Sequence, residues 1–426
     1  MERIKRLLKE AGISEYIVTK TTERTAELFF VKRQLDTRRI KDVEKYHAVV
    51  YRTEEKDGEK QRAATDVTVV SAYSDAEIKK ALSDAYFAAQ FAMNPYYDLP
   101  DPVQAPLEEA QGPLAELLPE QSAGEMAKAL FAADCEADAF LNSAEIFVIK
   151  KRKRVIASTG TDVSWTEAEV KGEYVVQVKE PEDVEMYRDF RYTDLETDAL
   201  RAHVKEGLAF VRDRARAQRI LKSGSYDLIL TDENVKYVLW FYGDRTSAWM
   251  IYPGYSTWKV GDNVQGETQG ERVSITMKAT QPYSEDGVPM KNLPVLENGV
   301  MRSPHGPTRF CRYLGVEPTG NYQAFLCNNE GSMSFAEMKQ RPCLWAVTFS
   351  GFEMDSFSGH FGGEIRLAYL IENGKATPVT GGSVNGIILD AQRDLAFSKE
   401  RYVSYGYEGP YAVLLKNVAV AGTDDE

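Results

Sequence analysis

Hydrophobic and polar residues alternate along three stretches near the start of the chain. The stretches are ELFFVKRQLDTRRI (27–40), KYHAVVYRT (45–53) and TDVTVVSAYS (65–74). Alternation over such lengths is the pattern of half-buried strands, because successive side chains of a strand point to opposite faces. The charged sequence EEKDGEKQR separates the second stretch from the third. The pattern therefore predicts antiparallel strands.

The spacing becomes helical after Ser74. Ile78, Leu82, Ala85 and Ala89 fall on one face of a helix. Ser74 is the expected N-cap, and the glutamate three residues later completes a capping box. The pattern predicts a helix that ends near Asn94-Pro95.

Five prolines between residues 98 and 121 predict an extended connector, since proline removes a backbone donor and fixes φ. A helix over 124–141 is expected next, followed by strands around 144–159 and 164–180. A helical segment is then predicted over 194–222.

From residue 226 onwards, short apolar runs alternate with Gly and Pro turns. Asn-Gly pairs at 298–299 and 373–374 predict two hairpins, because a type I′ turn needs positive φ at both central positions. The predicted class is α+β. An α/β N-terminal region (1–222, with a subdivision near 98–121) precedes a β-rich, mainly antiparallel domain (223–426).

Charge and composition exclude some classes of function. The net charge is −13 and the pI is near 5.1, whereas nucleic-acid binders usually present a basic face. No secretory signal and no stretch of about 18 apolar residues is visible, so no membrane association is expected. The four cysteines form no C-x-x-C pair, which is typical of reduced thiols in a cytoplasmic protein.

The stretch DSFSGHFGGE brings together the residue types of a hydrolase triad. Asp355, Ser358 and His360 lie within six residues, and a serine is activated when an imidazole accepts its proton. Triads are usually assembled from separate segments, however, and no G-x-S-x-G motif surrounds Ser358. A structural or ligand-contacting loop is the alternative, and we favour it.

The histidines His47, His203, His305 and His360 are at least 55 residues apart, so no helical zinc pair exists. A site that combines His305 and His360 with a cysteine remains an alternative. The cysteine in that alternative is Cys311 or Cys327.

Aromatic residues are dense between positions 240 and 258. Such a cluster suits a peptide groove or a subunit interface, where Trp and Tyr concentrate, but core packing explains it equally well. The candidate contact residues are Trp240, Phe241, Tyr242, Trp249 and Tyr255.

Four stretches in this order resemble the TldD/PmbA (TldE) family, once called modulators of DNA gyrase. They are SEDGVPMKNLPVLENGVMR, RYLGVEPTGN, DSFSGHFGGEIRLAYLIENGKATPVTGGSVNGIILD and GPYAVLLKNVAVAG. The resemblance implies a cytoplasmic heterodimeric metallopeptidase that degrades or processes unfolded peptides. It also implies that the TldD subunit carries zinc on an H-E-x-x-x-H helix and a late cysteine, which the TldE subunit lacks.

This sequence lacks those ligands. The segment TDENVKYVLWFYGDRTSAWM contains no histidine, and no cysteine follows Cys343. We therefore assign no catalytic residue and no metal ligand here, and expect a TldE-like chain whose zinc is held by a TldD-like partner. Asp355, Ser358, Gly359 and His360 become candidate substrate or interface contacts, with an unfolded peptide adding to strand edges beside 355–374.

Two other functions remain open from the residues alone. One is a peptidase or hydrolase that uses an atypical metal site or Ser358 with His360. The other is a non-enzymatic, homodimeric peptide-binding protein.

Overall fold

The computed structural model describes residues 1–134 and 138–423. The elements up to residue 214 are α1 (Glu2–Glu10), β1 (Glu15–Val31), β2 (Gln34–Lys56), β3 (Glu59–Val70), α2 (Asp75–Ala89), β4 (Asn94–Pro95), α3 (Pro113–Glu116), α4 (Pro119–Ala132), β5 (Ala139–Ala157), β6 (Asp162–Val178), β7 (Val184–Tyr192) and α5 (Thr197–Arg214). The strands form one antiparallel seven-stranded sheet in the order β4-β3-β2-β1-β5-β6-β7.

Local sequence explains where several of these helices begin. Ser74 caps α2 as predicted, because its hydroxyl accepts the Glu77 amide at 3.3 Å and Glu77 returns a bond to the Ser74 amide at 2.8 Å. Helix α2 ends at Ala89, five residues before Asn94.

The predicted proline-rich connector is only partly extended. Pro113 and Pro119 each begin a helix, since the first helical position needs no backbone donor. Gln104 and Glu108 bridge to β6, so this segment packs along the sheet. Strands on both sides of it, β1 and β5, pair with each other. The domain boundaries near 98–121 and 222 stay predictions.

The remaining elements are mostly strands. They are β8 (Gly224–Thr231), α6 (Glu233–Arg245), α7 (Ala248–Ile251), β9 (Ile275–Lys278), β10 (Leu293–Glu297), β11 (Val300–Met301), α8 (Thr308–Tyr313), β12 (Ala324–Cys327), α9 (Phe335–Met338), β13 (Cys343–Met354), β14 (His360–Glu372), β15 (Lys375–Val379), β16 (Ser383–Ile387), α10 (Ile388–Ala391), β17 (Ala396–Phe397), β18 (Arg401–Ser404), β19 (Tyr407–Pro410) and β20 (Ala412–Ala421). The α+β class, with mainly antiparallel sheets, is confirmed.

Two sheets organise these later elements. One has the order β11-β10-β9-β12-β19-β18. In the other, β13, β8, β20, β16 and β14 pair in sequence, and β14 returns to β13, so the five strands close into a ring. Helix α6 packs between the two sheets through Val238, Phe241 and Tyr242, which contribute to a core with Phe325 and Phe361.

Both Asn-Gly hairpins form as predicted. Asn298 and Gly299 have φ of 51° and 74°, and Asn373 and Gly374 have φ of 52° and 75°. These values are the positive angles that a type I′ turn requires.

The free strand edges expected beside residues 355–374 are not found on β14. Its first half pairs with β13 and β16, and its second half pairs with β13 and β15. Both edges of β14 are therefore paired. Strand β15 beside it ends the sheet order, so peptide addition to a strand edge beside 355–374 stays a prediction.

Candidate functional site

Helix α6 and the loop between β13 and β14 form the centre of the region that the sequence singled out. Phe241 and Tyr242 on α6 are 1% and 0% exposed. The Tyr242 hydroxyl donates to Oε1 of Gln392 at 2.8 Å, and burial strongly raises the pKa of this tyrosine. These two rings are core residues, which is the alternative that the sequence left open.

Asp244, near the end of α6, joins the helix to the loop. Its Oδ1 accepts the indole N–H of Trp240 at 3.0 Å, and its Oδ2 accepts the hydroxyl of Ser356 at 2.6 Å. Burial raises the pKa of Asp244, and the two hydrogen bonds work against that rise. Sequence reasoning missed this residue because Ser356 lies 112 positions away.

Replacing Asp244 by alanine should lower the free energy of unfolding by about 1–3 kcal/mol, because the Trp240 indole and the Ser356 hydroxyl both lose their acceptor. Urea denaturation measures this change. Ser356→Ala is the matched control, since it removes only one of the two bonds and should cost less. No measurable loss in Ser356→Ala would show that Asp244 does not anchor the loop.

The loop itself is a compact turn rather than a catalytic triad. Asp355 accepts the Ser358 hydroxyl at 2.5 Å and the amide of Phe357 at 2.9 Å, and the Ser358 bond holds the pKa of Asp355 below its usual value. The imidazole of His360 points elsewhere, with Nε2 2.8 Å from Oδ1 of Asn385. Ser358 therefore donates its hydrogen bond to the Asp355 carboxylate, and the His360 imidazole is not placed to accept its proton.

Gly359 fills a narrow position in this turn. Its φ is +79°, and a Cβ at this position would lie 3.3 Å from Ile388 and 3.4 Å from Leu389. The glycine thus brings the loop against α10, and its contribution is to packing.

Exposed apolar side chains form a continuous surface around this loop. Phe357 is 54% exposed, and its ring centroid lies 6.0 Å from that of Trp249 and 5.2 Å from that of Tyr255. Exposed Ile387 and Leu389 continue the surface, because residues 387–388 pair with residues 359–360. We call these five side chains the aromatic patch.

Arg245 forms hydrogen bonds with the backbone of two segments that carry the aromatic patch. Its Nη1 donates to the carbonyl of Tyr255 at 2.6 Å and to that of Phe357 at 3.3 Å. The patch is therefore fixed by the end of α6.

The donor groups for a metal are dispersed in the structure. No three His, Cys, Asp or Glu side chains in 1–134 and 138–423 are grouped to hold an ion. His305 is 7% exposed, its Nε2 donates to the carbonyl of Gly243 at 2.8 Å, and burial lowers its pKa to about 4. Its Nδ1 has no hydrogen-bond partner within the described chain, yet no cluster of further donors surrounds it. These residues do not fit a zinc ion.

The thiols fit a metal no better. Burial raises the pKa of Cys311 and Cys343 to about 11 and that of Cys327 to about 12, so these groups are protonated at neutral pH. All three are free thiols, as the sequence predicted, and Cys135 lies outside the described residues.

A cleft of about 460 Å³ lies elsewhere, between the seven-stranded sheet and Tyr405. Charged side chains in its walls form ion pairs with one another: Lys151 is 3.1 Å from Glu169, and Lys153 is 3.0 Å from Glu167. Sequence reasoning gave no signal for this cleft, because its lining comes from distant strands.

No helix within the described part of the chain is long and apolar enough to cross a membrane.

Comparison with known proteins places these features in a family. Residues 223–422 match the model of the PmbA/TldA metallopeptidase C-terminal domain. A search of curated protein sequences finds no significant match.

Three solved structures share the fold over nearly the whole chain. TldE from Thermococcus kodakarensis is 17% identical, with a TM-score of 0.77 over 99% of this chain and 100% of that one. A protein described as a modulator of a DNA gyrase from Thermotoga maritima is 18% identical, with a TM-score of 0.78 over 99% of both chains. One with a similar description from Bacteroides thetaiotaomicron is 15% identical, with a TM-score of 0.75 over 98% of both.

Identities this low establish the fold alone, whereas the domain model adds the sequence signature of its C-terminal half. The ordered motifs between residues 284 and 422 lie inside the matched range. The chain therefore carries, over residues 223–422, the C-terminal domain of the PmbA/TldD family.

Proposed function

We propose that this chain is a zinc-free, TldE-like subunit of a cytoplasmic TldD/TldE-type peptidase that degrades or processes unfolded peptides. The observation that carries this proposal is that the candidate metal-binding histidines have other partners. His305 forms a hydrogen bond with the backbone of α6, and His360 forms one with Asn385. The segment where the family's zinc helix is expected instead supplies buried aromatic rings.

Such a subunit needs a partner that holds the zinc ion. The family domain matched over residues 223–422 is described as that of a metallopeptidase, which supports a role in proteolysis. We propose a TldD-like chain with an H-E-x-x-x-H helix as this partner. Zinc there would polarise the attacking water, while this chain contributes structure and contacts to the peptide.

The aromatic patch is the surface we assign to that partner. Trp249, Tyr255 and Phe357 are exposed, and the first two each contact Phe357. Large rings of this kind dominate binding energy in protein interfaces. The patch adjoins the end of α6, so a chain docked there would bring its own catalytic helix close to this one. Asp355, Ser358 and His360 lie on the same loop and remain proposed contacts.

Co-expression with a TldD-like chain from the same genome tests the proposal. We expect the two chains to co-purify, zinc to be present at one ion per pair, and unfolded peptide to be cleaved by the pair but not by this chain alone. Stoichiometric zinc in the isolated chain, with peptide cleavage lost in His360→Ala, would contradict it.

Phe357→Glu should weaken capture of the TldD-like chain by about tenfold or more, since a charge replaces an exposed ring at the centre of the patch. Quantitative pull-down measures the loss. Phe91→Glu is the matched control, because Phe91 is 77% exposed and follows α2 in the N-terminal half. Equal capture by both variants would show that the aromatic patch is not part of the interface. The proposal that the partner holds the zinc ion would be unaffected.

A further inference from the structure

Three Asn-Gly pairs occur in the chain, at residues 298–299, 373–374 and 385–386. In such a pair the next backbone nitrogen can attack the asparagine side chain, because glycine has no Cβ to shield that nitrogen. The attack needs a glycine N–H that no acceptor holds, and a peptide unit that can rotate toward the side chain. The three pairs differ in both respects.

The first pair is held in place by its surroundings. The amide of Gly299 donates to the carbonyl of Val273 at 2.9 Å. The amide of Asn298 donates to the hydroxyl of Ser274, also at 2.9 Å. Gly299 is buried, and a Cβ there would lie 2.7 Å from Oε1 of Gln265. Rotation of this peptide unit would therefore break two hydrogen bonds and bring it against a neighbouring side chain.

The third pair is held by its place inside a sheet. Asn385 and Gly386 belong to β16, which pairs with β14 on one side and with β20 on the other. The Oδ1 atom of Asn385 lies 2.8 Å from Nε2 of His360. A Cβ on Gly386 would lie 2.3 Å from the ring of Phe361. The side chain and the backbone nitrogen of this pair therefore approach one another only if the sheet opens.

The second pair meets both requirements. Asn373 and Gly374 are exposed at the tip of the β14–β15 hairpin, and a Cβ on Gly374 would have no atom within 4 Å. The Gly374 amide has no acceptor within the described part of the chain. Strand β15 has five residues and ends the order of its sheet, so the tip opens at a low cost in free energy. Opening releases Asn373 from its φ of 52° and lets the peptide unit rotate.

We propose that Asn373 is a site of spontaneous deamidation, and that the fold protects the asparagines at 298 and 385. The nitrogen of Gly374 attacks Cγ of Asn373 and forms a new C–N bond, its proton passes to the side-chain nitrogen, and ammonia leaves. Water then opens the resulting succinimide ring at either carbonyl, which leaves aspartate or isoaspartate at position 373. One water is consumed for each ammonia released, and no other reactant is needed. This modification does not depend on the proposed peptidase role.

Isoaspartate at position 373 would loosen the end of the sheet. It routes the main chain through the former side chain, which adds a methylene group to a two-residue turn and disturbs the adjacent pairing of Glu372 with Lys375. Further along, Pro378 and Thr380 form backbone hydrogen bonds with Gln218 at 2.9 and 3.1 Å. We therefore expect the loosening to reach the segment between α5 and β8.

Incubation of the purified full-length chain at mildly alkaline pH tests the proposal, with peptide mapping by mass spectrometry at all three pairs. Deamidation at 373 should be about tenfold faster or more than at 298 or 385, because the hairpin tip opens more readily than the other two sites. The rate at 373 should rise with pH, since the attacking nitrogen must lose its proton. In concentrated urea the three rates should become similar, because the protection comes from the fold.

Asn373→Gln should suppress the reaction in that peptide, since attack on the longer side chain forms a larger and less favoured ring. Asn298→Gln is the matched control and should leave the rate at 373 unchanged. Circular dichroism verifies that both variants fold, and amide hydrogen exchange over 375–380 should be faster in the aged native chain than in aged Asn373→Gln. An unmodified Asn373 in the folded chain would overturn the proposal, as would equal or faster deamidation at 298 or 385.

Discussion

Gly382→Ala is expected to lower the free energy of unfolding by about 3–4 kcal/mol, one of the largest effects of any single methyl group in this chain. Gly382 has a φ of +76°, which L-residues rarely adopt. A Cβ built there would lie 2.4 Å from the carbonyl oxygen of Ala421, and that oxygen belongs to the backbone of β20. The clash cannot be relieved by rotating a side chain.

The position of Gly382 explains why the strain would spread. Its carbonyl accepts the amide of Ile365 on β14 at 2.9 Å, and the next residue, Ser383, begins β16 opposite Ala421 on β20. Moving Gly382 away from β20 would therefore disturb β14, β16 and β20 together, where the ring of strands closes.

Gly374→Ala supplies a matched control. Gly374 has a φ of +75°, but a Cβ there would have no atom within 4 Å. Alanine should cost only the conformational penalty of about 1–2 kcal/mol at this hairpin turn. Urea denaturation of both variants separates the two contributions, and equal losses would show that the contact with Ala421 is unimportant.

The parts of the fold that the sequence predicted are those set by neighbouring residues. Ser74 and Glu77 are three positions apart, and both Asn-Gly turns consist of adjacent residues, so their geometry follows from local hydrogen bonds and φ preferences. The closed ring depends on β14 pairing with β13, β15 and β16, and no local pattern specifies which strands become neighbours.

The candidate site shows the same division. Aromatic density marked the region around 240–258, but only the structure separates buried Phe241 and Tyr242 from exposed Trp249 and Tyr255. Phe357 was not selected from the sequence, because its contacts with Trp249 and Tyr255 join segments about a hundred residues apart.

Helix α6 is held in place by side-chain packing and by hydrogen bonds within the described chain. Val238 and Leu239 are 0% and 1% exposed, and Asp244 links the helix to the loop through Ser356. Under the proposed function, a TldE-like chain keeps the surface around this helix for its partner without needing an ion to hold the helix in place.

Asp232, at the junction of β8 and α6, should make the stability of this chain depend on pH. Burial, followed by the negative charge of Glu206, raises the pKa of Asp232 in the folded chain to about 7, from 3.8. The charged and aromatic groups that influence Asp232 or are influenced by it are Arg188, Glu206, Glu233, Tyr402 and Tyr411.

The direction of this pH dependence follows from the number of protons bound by the folded and the unfolded chain. Between about pH 4 and pH 7 the folded chain retains a proton that the unfolded chain releases, so stability is highest at low pH and is lost as pH rises through 7. A shift of about three pKa units corresponds to roughly 4 kcal/mol when the loss is complete.

Asp232→Asn should therefore stabilise the chain by up to about 4 kcal/mol at pH 8 and have little effect near pH 4. Asparagine carries no charge and tolerates positive φ, which is 55° at this position. Urea denaturation at both pH values measures the difference, and Asp101→Asn, whose side chain is 89% exposed, controls for the loss of one negative charge. A gain that is the same at pH 4 and pH 8 would mean that Asp232 keeps an ordinary pKa in the folded chain, and that the α6 junction tolerates a charged carboxylate without cost.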